Sequence, residues 1–223
     1  MQIEHSTILI TSAGNFMGRD VAYHFASLGA CLIIADSNHD GLNETHRLCR
    51  QINSNVISFQ LKDQSLESIQ HLFHAIDREF SRGIDVLINN YTDVALPSLL
   101  APYDKECPFQ LTELAATLFT YGQYAAQNMR DHCKEGVIIN LGYRKHSSQK
   151  QYLDNSTALL AGLTKSWAKE LNPFNIRVGG VAPRLSNKYS DSNANLINQE
   201  LIKNTEYILQ NEYFNGRIIE ATA

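Results

Sequence analysis

Nowhere does this sequence contain an apolar run approaching the ~20 residues that a membrane-spanning helix needs. Residues 1–6 are polar and lack the apolar stretch of a secretion signal, so a cytoplasmic location is expected. Cysteines are few, four in 223 residues, and none forms a Cys-x-x-Cys pair. That spacing argues against a disulfide frame or a zinc site and predicts reduced, mostly packed thiols at Cys31, Cys49, Cys107 and Cys133. An excess of positive charge is missing too: 19 Lys and Arg stand against 23 Asp and Glu, a formal net charge of −4. No general attraction to nucleic acid or to an anionic membrane follows from such a balance. Neither an internal repeat nor a linker long enough to separate a second domain is present. Residues 1–223 are therefore expected to form one domain, and 43% hydrophobic residues suffice for its core.

What the sequence does contain is alternation. Short runs rich in Ile, Val and Leu recur at 7–11, 31–36, 56–61, 84–89 and 136–141, each followed by a longer stretch of helical period. Helices are predicted at 16–28, 40–52, 66–80, 111–132 and 155–171, with Gly29 as a C-cap for the first. Strands at 176–181 and 217–220, with a helix at 194–210 between them, complete the pattern. Continuous apolar character in the strands requires cover on both faces. The fold class expected is α/β, a Rossmann-like, doubly wound, mainly parallel seven-stranded sheet with helices on both sides. The polar, Ser- and Asn-rich segment 185–198 is expected to be a shortened, mobile surface loop.

The first strand ends Ile8-Leu9-Ile10-Thr11 and runs through Ser12-Ala13-Gly14-Asn15-Phe16-Met17-Gly18 into a helix, while Asp36 closes the second strand. Asp63 follows the third strand, Leu87-Ile88-Asn89-Asn90 ends the fourth and Val137-Ile138-Ile139-Asn140 forms the fifth. The order continues through Gly162-Leu163-Thr164, Ile176-Arg177-Val178, Val181-Ala182-Pro183 and Phe214-Asn215-Gly216-Arg217. This ordered set resembles the short-chain dehydrogenase/reductase family, whose nucleotide loop reads Thr-Gly-x-x-x-Gly-x-Gly.

The resemblance implies a dinucleotide site built from Thr11, Ser12, Gly14, Phe16, Met17, Asp36, Asp63, Asn89 and Asn90. In such a loop, glycines give a tight turn and let a pyrophosphate approach a helix N-terminus. Here Ser12 replaces the first glycine and Phe16 the second; Gly18 keeps the third, whose task is helix-to-strand packing. Gly14 offers local freedom at a different position. Phe16 either projects where phosphates pass, weakening or abolishing dinucleotide binding, or packs in the core at helical spacing, or stacks on a cofactor. Asp36 is suited to a ribose and would repel a 2′-phosphate, so NAD rather than NADP is expected if a dinucleotide binds at all. The resemblance places Asp63 near adenine, and Asn89 and Asn90 near the adenosine ribose.

The family's hydride transfer uses a tyrosine acid, a lysine four residues later, a serine and an asparagine. Alignment on Gly162-Leu163-Thr164 puts Leu153 at the tyrosine position and Thr157 at the lysine position. Tyr152, one residue out of register, is the single weak catalytic candidate, and Ser156 four residues on carries no charge. Lys165 lies thirteen residues beyond Tyr152, or about 20 Å along a helix, too far to replace the lysine. Tyr143 stands at the serine position, and Leu114 or Ala115 at the asparagine position. A phenol at 143 is expected to fill space, with donation to a carbonyl as the alternative.

The basic run from Arg144 to Lys150 reads as a solvated loop, with attraction of an anionic ligand or acidic partner as the alternative. His71 and His74 share a helix face but have no third ligand nearby, so no metal site is expected. The reading that results is a member of this family with a degenerate active site, acting as a binding, assembly or regulatory subunit. Its rival is an active NAD(H)-dependent oxidoreductase of a carbonyl or alcohol with rearranged residues. The resemblance also implies a homodimer or homotetramer through the fourth and fifth helices, with Tyr121, Tyr124, Ala125 and Trp167 contributing.

Overall fold

In the computed structural model the described residues are 1–92, 107–143, 155–184 and 191–222; the side chains of 107–111, 155–156 and 191–194 are not described. Seven strands alternate with six helices: β1 (Thr7–Thr11), α1 (Phe16–Ser27), β2 (Cys31–Asp36), α2 (His39–Arg50), β3 (Val56–Gln60), α3 (Leu66–Glu79), β4 (Val86–Thr92), α4 (Cys107–Asp131), β5 (Val137–Tyr143), α5 (Asn155–Leu171), β6 (Arg177–Pro183), α6 (Asp191–Gln210) and β7 (Arg217–Ala221). They pair in the order β3-β2-β1-β4-β5-β6-β7. Every pairing is parallel, so the doubly wound architecture expected from the sequence is present.

Alternate strand residues feed two apolar layers. Ile8, Ile10, Ile88 and Ile139 face one layer with Val21 and Phe25 of α1 and Leu201 of α6. Leu9, Ile33, Leu87 and Ile138 face the other with Ile69 of α3, Tyr121 of α4 and Trp167 of α5. Helix ends are written in local chemistry. Asn15, Asn38 and Ser65 cap α1, α2 and α3 by accepting the N–H three residues on. Gly29, at φ 81°, closes α1 with Gly29 N–H on Ala26 O and Ala30 N–H on Phe25 O, the paired bonds that end a helix in a left-handed residue.

Two expectations are corrected. The loop predicted at 185–198 is helical from residue 191 onward, because Ile197, Leu201, Thr205 and Ile208 recur at helical spacing and all are buried; residues 185–190 lie outside the described part. The fourth helix begins at Cys107 rather than 111, with Pro108 in its first turn, where a missing N–H is harmless.

The order of the sheet places its switch point between β1 and β4, whose outgoing connections run to opposite faces. A ligand crevice is expected outside the C-terminal ends of those strands.

Candidate functional site

The segment 11–18 leaves β1 at this switch point, and its shape is dictated by backbone demands. Ser12 takes φ 49°, the left-handed conformation that glycine adopts without penalty. Ser12 therefore does a glycine's conformational work, while Gly14 has an ordinary φ and serves closeness instead. A Cβ on Gly14 would lie 2.8 Å from the Leu42 nitrogen, and one on Gly41 would lie 2.1 Å from the Gly14 oxygen. The N-terminus of α2 thus docks directly on the loop. Gly18 is the packing glycine that its position implied: a Cβ there would sit 2.3 Å from Ser12 O.

Asp36 is buried at the end of β2 and uses both carboxylate oxygens on this junction. Oδ2 accepts the Gly14 N–H at 2.7 Å and Oδ1 the Asn38 N–H at 2.8 Å. It holds the loop and the α2 entrance together. Thr45 adds its hydroxyl to Ala13 O at 2.8 Å. Met17 is fully buried in the core, so its side chain cannot touch a ligand. Phe16, by contrast, is 52% exposed, which removes the core-packing reading of that residue. Its ring stands on the first turn of α1, whose cap Asn15 accepts the Gly18 N–H at 2.7 Å.

The two asparagines of β4 point to opposite faces. Asn89 turns inward: its Nδ2 donates to Leu118 O at 3.1 Å and to Asn140 Oδ1 at 3.5 Å, and Asn140 Nδ2 donates to Thr164 Oγ1 at 3.3 Å. Asn89 is thereby committed to a buried polar chain across β4, β5 and α5. Asn90 turns toward the loop, donating from Nδ2 to Ser12 O at 3.2 Å and to Asn15 Oδ1 at 3.3 Å. Its Oδ1, in a side chain only 2% exposed, has no partner. The flipped amide would set Oδ1 against two acceptors, so its orientation is fixed and the unpaired acceptor is real. Asp63 lies exposed after β3 and is absorbed in capping: its Oδ1 accepts from Ser65 N at 3.0 Å and Ser68 Oγ at 2.7 Å. Hydrogen bonds from Ser65, then Ser68, pull its pKa down to about 2.

Of the positions that the resemblance pairs with the family's reactive groups, Tyr143, Leu114, Ala115 and Thr157 are among the described residues. Tyr143 is buried, belongs to the apolar layer that includes Ile197 and Leu201, and accepts a hydrogen bond from Thr92 Oγ1 at 2.8 Å. Burial raises its pKa, so the neutral phenol is favoured. Tyr91 stands over Gly142, where a Cβ would be 2.6 Å from the Tyr91 hydroxyl oxygen. Tyr91, Leu118 and Leu160 form a small apolar cluster against which Leu114 packs. Thr157 is half-buried and Lys165 is exposed on α5. Tyr152, Leu153 and the run Arg144 to Lys150 lie outside the described residues.

His71 and His74 are both exposed, and no group of three or more potential metal ligands occurs among the described residues. Cys49 is buried and its pKa is raised by burial to about 11; Cys31 is partly buried, whereas Cys133 is exposed. Of the four proposed contact residues, Tyr121 and Ala125 are buried against the sheet, and Tyr124 stacks on Phe73 of α3 at 5.5 Å. Trp167 is buried as well, but with Phe119, Gly122, Gln123 and Arg130 it lines an open groove of about 360 Å³ between α4 and α5. Sequence reasoning missed the Asn89–Asn140–Thr164 chain and the unpaired Asn90 oxygen. The signal for the first was available: an asparagine inside Val137-Ile138-Ile139-Asn140-Leu141 must find buried partners.

Among the described residues no helix is long and apolar enough to cross a membrane. Residues 6–200 match the short chain dehydrogenase family. A 3-oxoacyl-(acyl-carrier-protein) reductase of Thermotoga maritima is 26% identical over 187 residues, 82% of this chain and 75% of that protein. Sorbitol-6-phosphate 2-dehydrogenase of Klebsiella pneumoniae is 29% identical over 205 residues, 84% of this chain and 72% of the relative. The crystal structure of a short-chain type dehydrogenase/reductase from Mycobacterium marinum superposes with TM-score 0.82 at 22% identity, covering 99% of this chain and 94% of that one.

Proposed function

This chain belongs to the short-chain dehydrogenase/reductase family, and from that premise we propose that it has left the family's hydride-transfer chemistry and acts as a binding, assembly or regulatory subunit. The observation that carries the reading is Tyr143. At the position of the family's carbonyl-holding serine there is a buried phenol tied to Thr92, beside an apolar cluster of Tyr91, Leu118 and Leu160. A carbonyl substrate needs a small donor and a cation-assisted acid there; losing one such acid or base costs roughly 10²- to 10⁴-fold.

The family binds NAD or NADP. Toward such a cofactor this site fits only in part. Asp36 and Asn90 suit the adenosine end, and Asp36 would repel a 2′-phosphate, so NAD is the dinucleotide favoured if one is admitted. Phe16 and the filled volume near Tyr143 do not suit the phosphate crossing and the nicotinamide end.

The rival reading, an NAD(H)-dependent oxidoreductase using Tyr152 or Tyr143 as its acid, is favoured by the reductase and dehydrogenase names of the relatives and by Asp36. Purified chain is to be incubated with NADH, NADPH, NAD or NADP and a panel of carbonyls and alcohols. No turnover above the uncatalysed rate is expected; turnover abolished by Tyr152→Phe would overturn the non-catalytic reading. Self-association through the groove between α4 and α5 is proposed alongside it, with the exposed Phe119 edge-on to Trp167 at 6.1 Å as its apolar centre.

A further inference from the structure

The turn that joins α6 to β7 holds the sequence's single Asn-Gly pair, Asn215-Gly216. In such a pair the glycine nitrogen can attack the asparagine side-chain carbonyl, because no Cβ hinders the approach. Here one residue of β6 grips both reacting groups. Val178 N–H donates to Asn215 Oδ1 at 2.8 Å, and Gly216 N–H donates to Val178 O at 2.8 Å. The neighbouring residue pins the same turn. The Arg177 guanidinium donates to Asn211 O at 2.9 Å and Phe214 O at 3.0 Å, and also to Ile208 O at 3.1 Å and Leu209 O at 3.2 Å. Phe214 is buried and Gly216 stands at φ 68°, so the closed corner fixes both side chain and backbone.

We propose that Asn215 is a latent deamidation site, held inert by β6 and released when this corner opens. The step needs the Gly216 nitrogen to give up its proton and attack Asn215 Cγ. A C–N bond forms, the Cγ–Nδ2 bond breaks, and the amide nitrogen leaves with the proton as ammonia. Water then opens the cyclic imide to aspartate or isoaspartate, with no oxidant or reductant involved. In the closed corner the Gly216 proton is committed to Val178 O, where base does not reach it, so polarisation of the Asn215 carbonyl by Val178 N–H has no nucleophile to serve. Isoaspartate inserts a methylene carbon into the main chain just before Gly216, whose N–H must meet Val178 O for Arg217 to pair with Gly179. A chain that has reacted this way does not re-close in register, and the modification marks molecules that have lost the α6–β7 corner. The proposal is independent of whether the chain transfers hydride.

Incubation of the full chain at mildly alkaline pH, folded and in parallel unfolded in urea, tests it, with aspartate and isoaspartate at 215 followed by peptide mass spectrometry. The folded chain is expected to deamidate at least about tenfold more slowly than the unfolded one, and to accelerate in urea below the global transition, as local opening does. Arg177→Lys, which withdraws a planar fork from four carbonyls, is expected to raise the folded-state rate about tenfold at unchanged circular dichroism. Should that variant not fold, the urea dependence of the wild-type rate decides the matter. Equal rates in folded and unfolded chain would overturn the proposal. So would a folded-state rate that stays flat in urea until global unfolding, or a folded Arg177→Lys chain that deamidates no faster than wild type.

Discussion

Ser12 holds φ at 49°, a conformation that costs a side-chain-bearing residue about 1 kcal/mol or more. Ser12→Gly is therefore expected to stabilise the fold by up to about 1 kcal/mol, read as a rise of about 2–4 °C in Tm by calorimetry. An unchanged or lower Tm would show that the strain is relieved elsewhere. Asp63 gives a pH-dependent counterpart. Its folded pKa, about 2, lies below the ordinary value of 3.8, so the capping contribution is complete above the unfolded value and fades as pH falls through about 2. Asp63→Asn is expected to flatten the dependence of stability on pH between about 4 and 2, as followed by denaturant melts across that range. Both residues show how far single letters could be read. Ser12 was recognisable as a replacement, but that it keeps the glycine's backbone angle is a property of the loop's closure around α2. Asp36 was recognisable as an acid at a strand end, yet its two main-chain partners come from Gly14 and Asn38, which only the packed junction brings together.

At the scale of elements, continuous apolar runs and helices at period 3.6 were written plainly, and the succession of seven strands along the chain follows from them with small shifts at the ends. The misread element is the start of α6. Its Ser- and Asn-rich sequence resembles loop chemistry, while the buried positions that decide the matter begin only at Ile197. The α4–α5 contact was less legible because it depends on a glycine inside a helix. Gly122 lies under Trp167, and a Cβ there would meet the indole at 2.8 Å. On propensity alone Gly122→Ala should stabilise a helix by about 1 kcal/mol. Here the rigid ring must move, so a net loss of about 1–3 kcal/mol is expected in urea melts, together with altered tryptophan fluorescence. A gain in stability would mean that the two helices are less closely packed than the structure has them. The sign of this one substitution separates helix propensity from interhelical packing.

For the molecule as a whole, the outward faces of α4 and α5 are where a second copy is proposed to sit. Sedimentation equilibrium is expected to report a dimer or tetramer, and Phe119→Glu, which places a charge at the apolar centre of the groove, to shift it toward monomer. Monomer throughout the wild-type concentration range would remove the proposal. Function was only partly legible at this scale. The whole chain announces a dinucleotide-type scaffold, but chemistry resides in side chains at a few positions, and an intact sheet places no demand on what those positions carry.

The polar chain from Asn89 through Asn140 to Thr164 runs through the middle of the molecule without borrowing any group at the positions of the reactive serine, tyrosine or lysine. On the non-catalytic reading proposed above, architecture and reactivity are separable. A library randomised codon by codon and sorted for folded protein would be starved of variants at Asn140 and Thr164, which are fully buried, yet richly populated at Phe16 and Thr157, whose side chains are less enclosed.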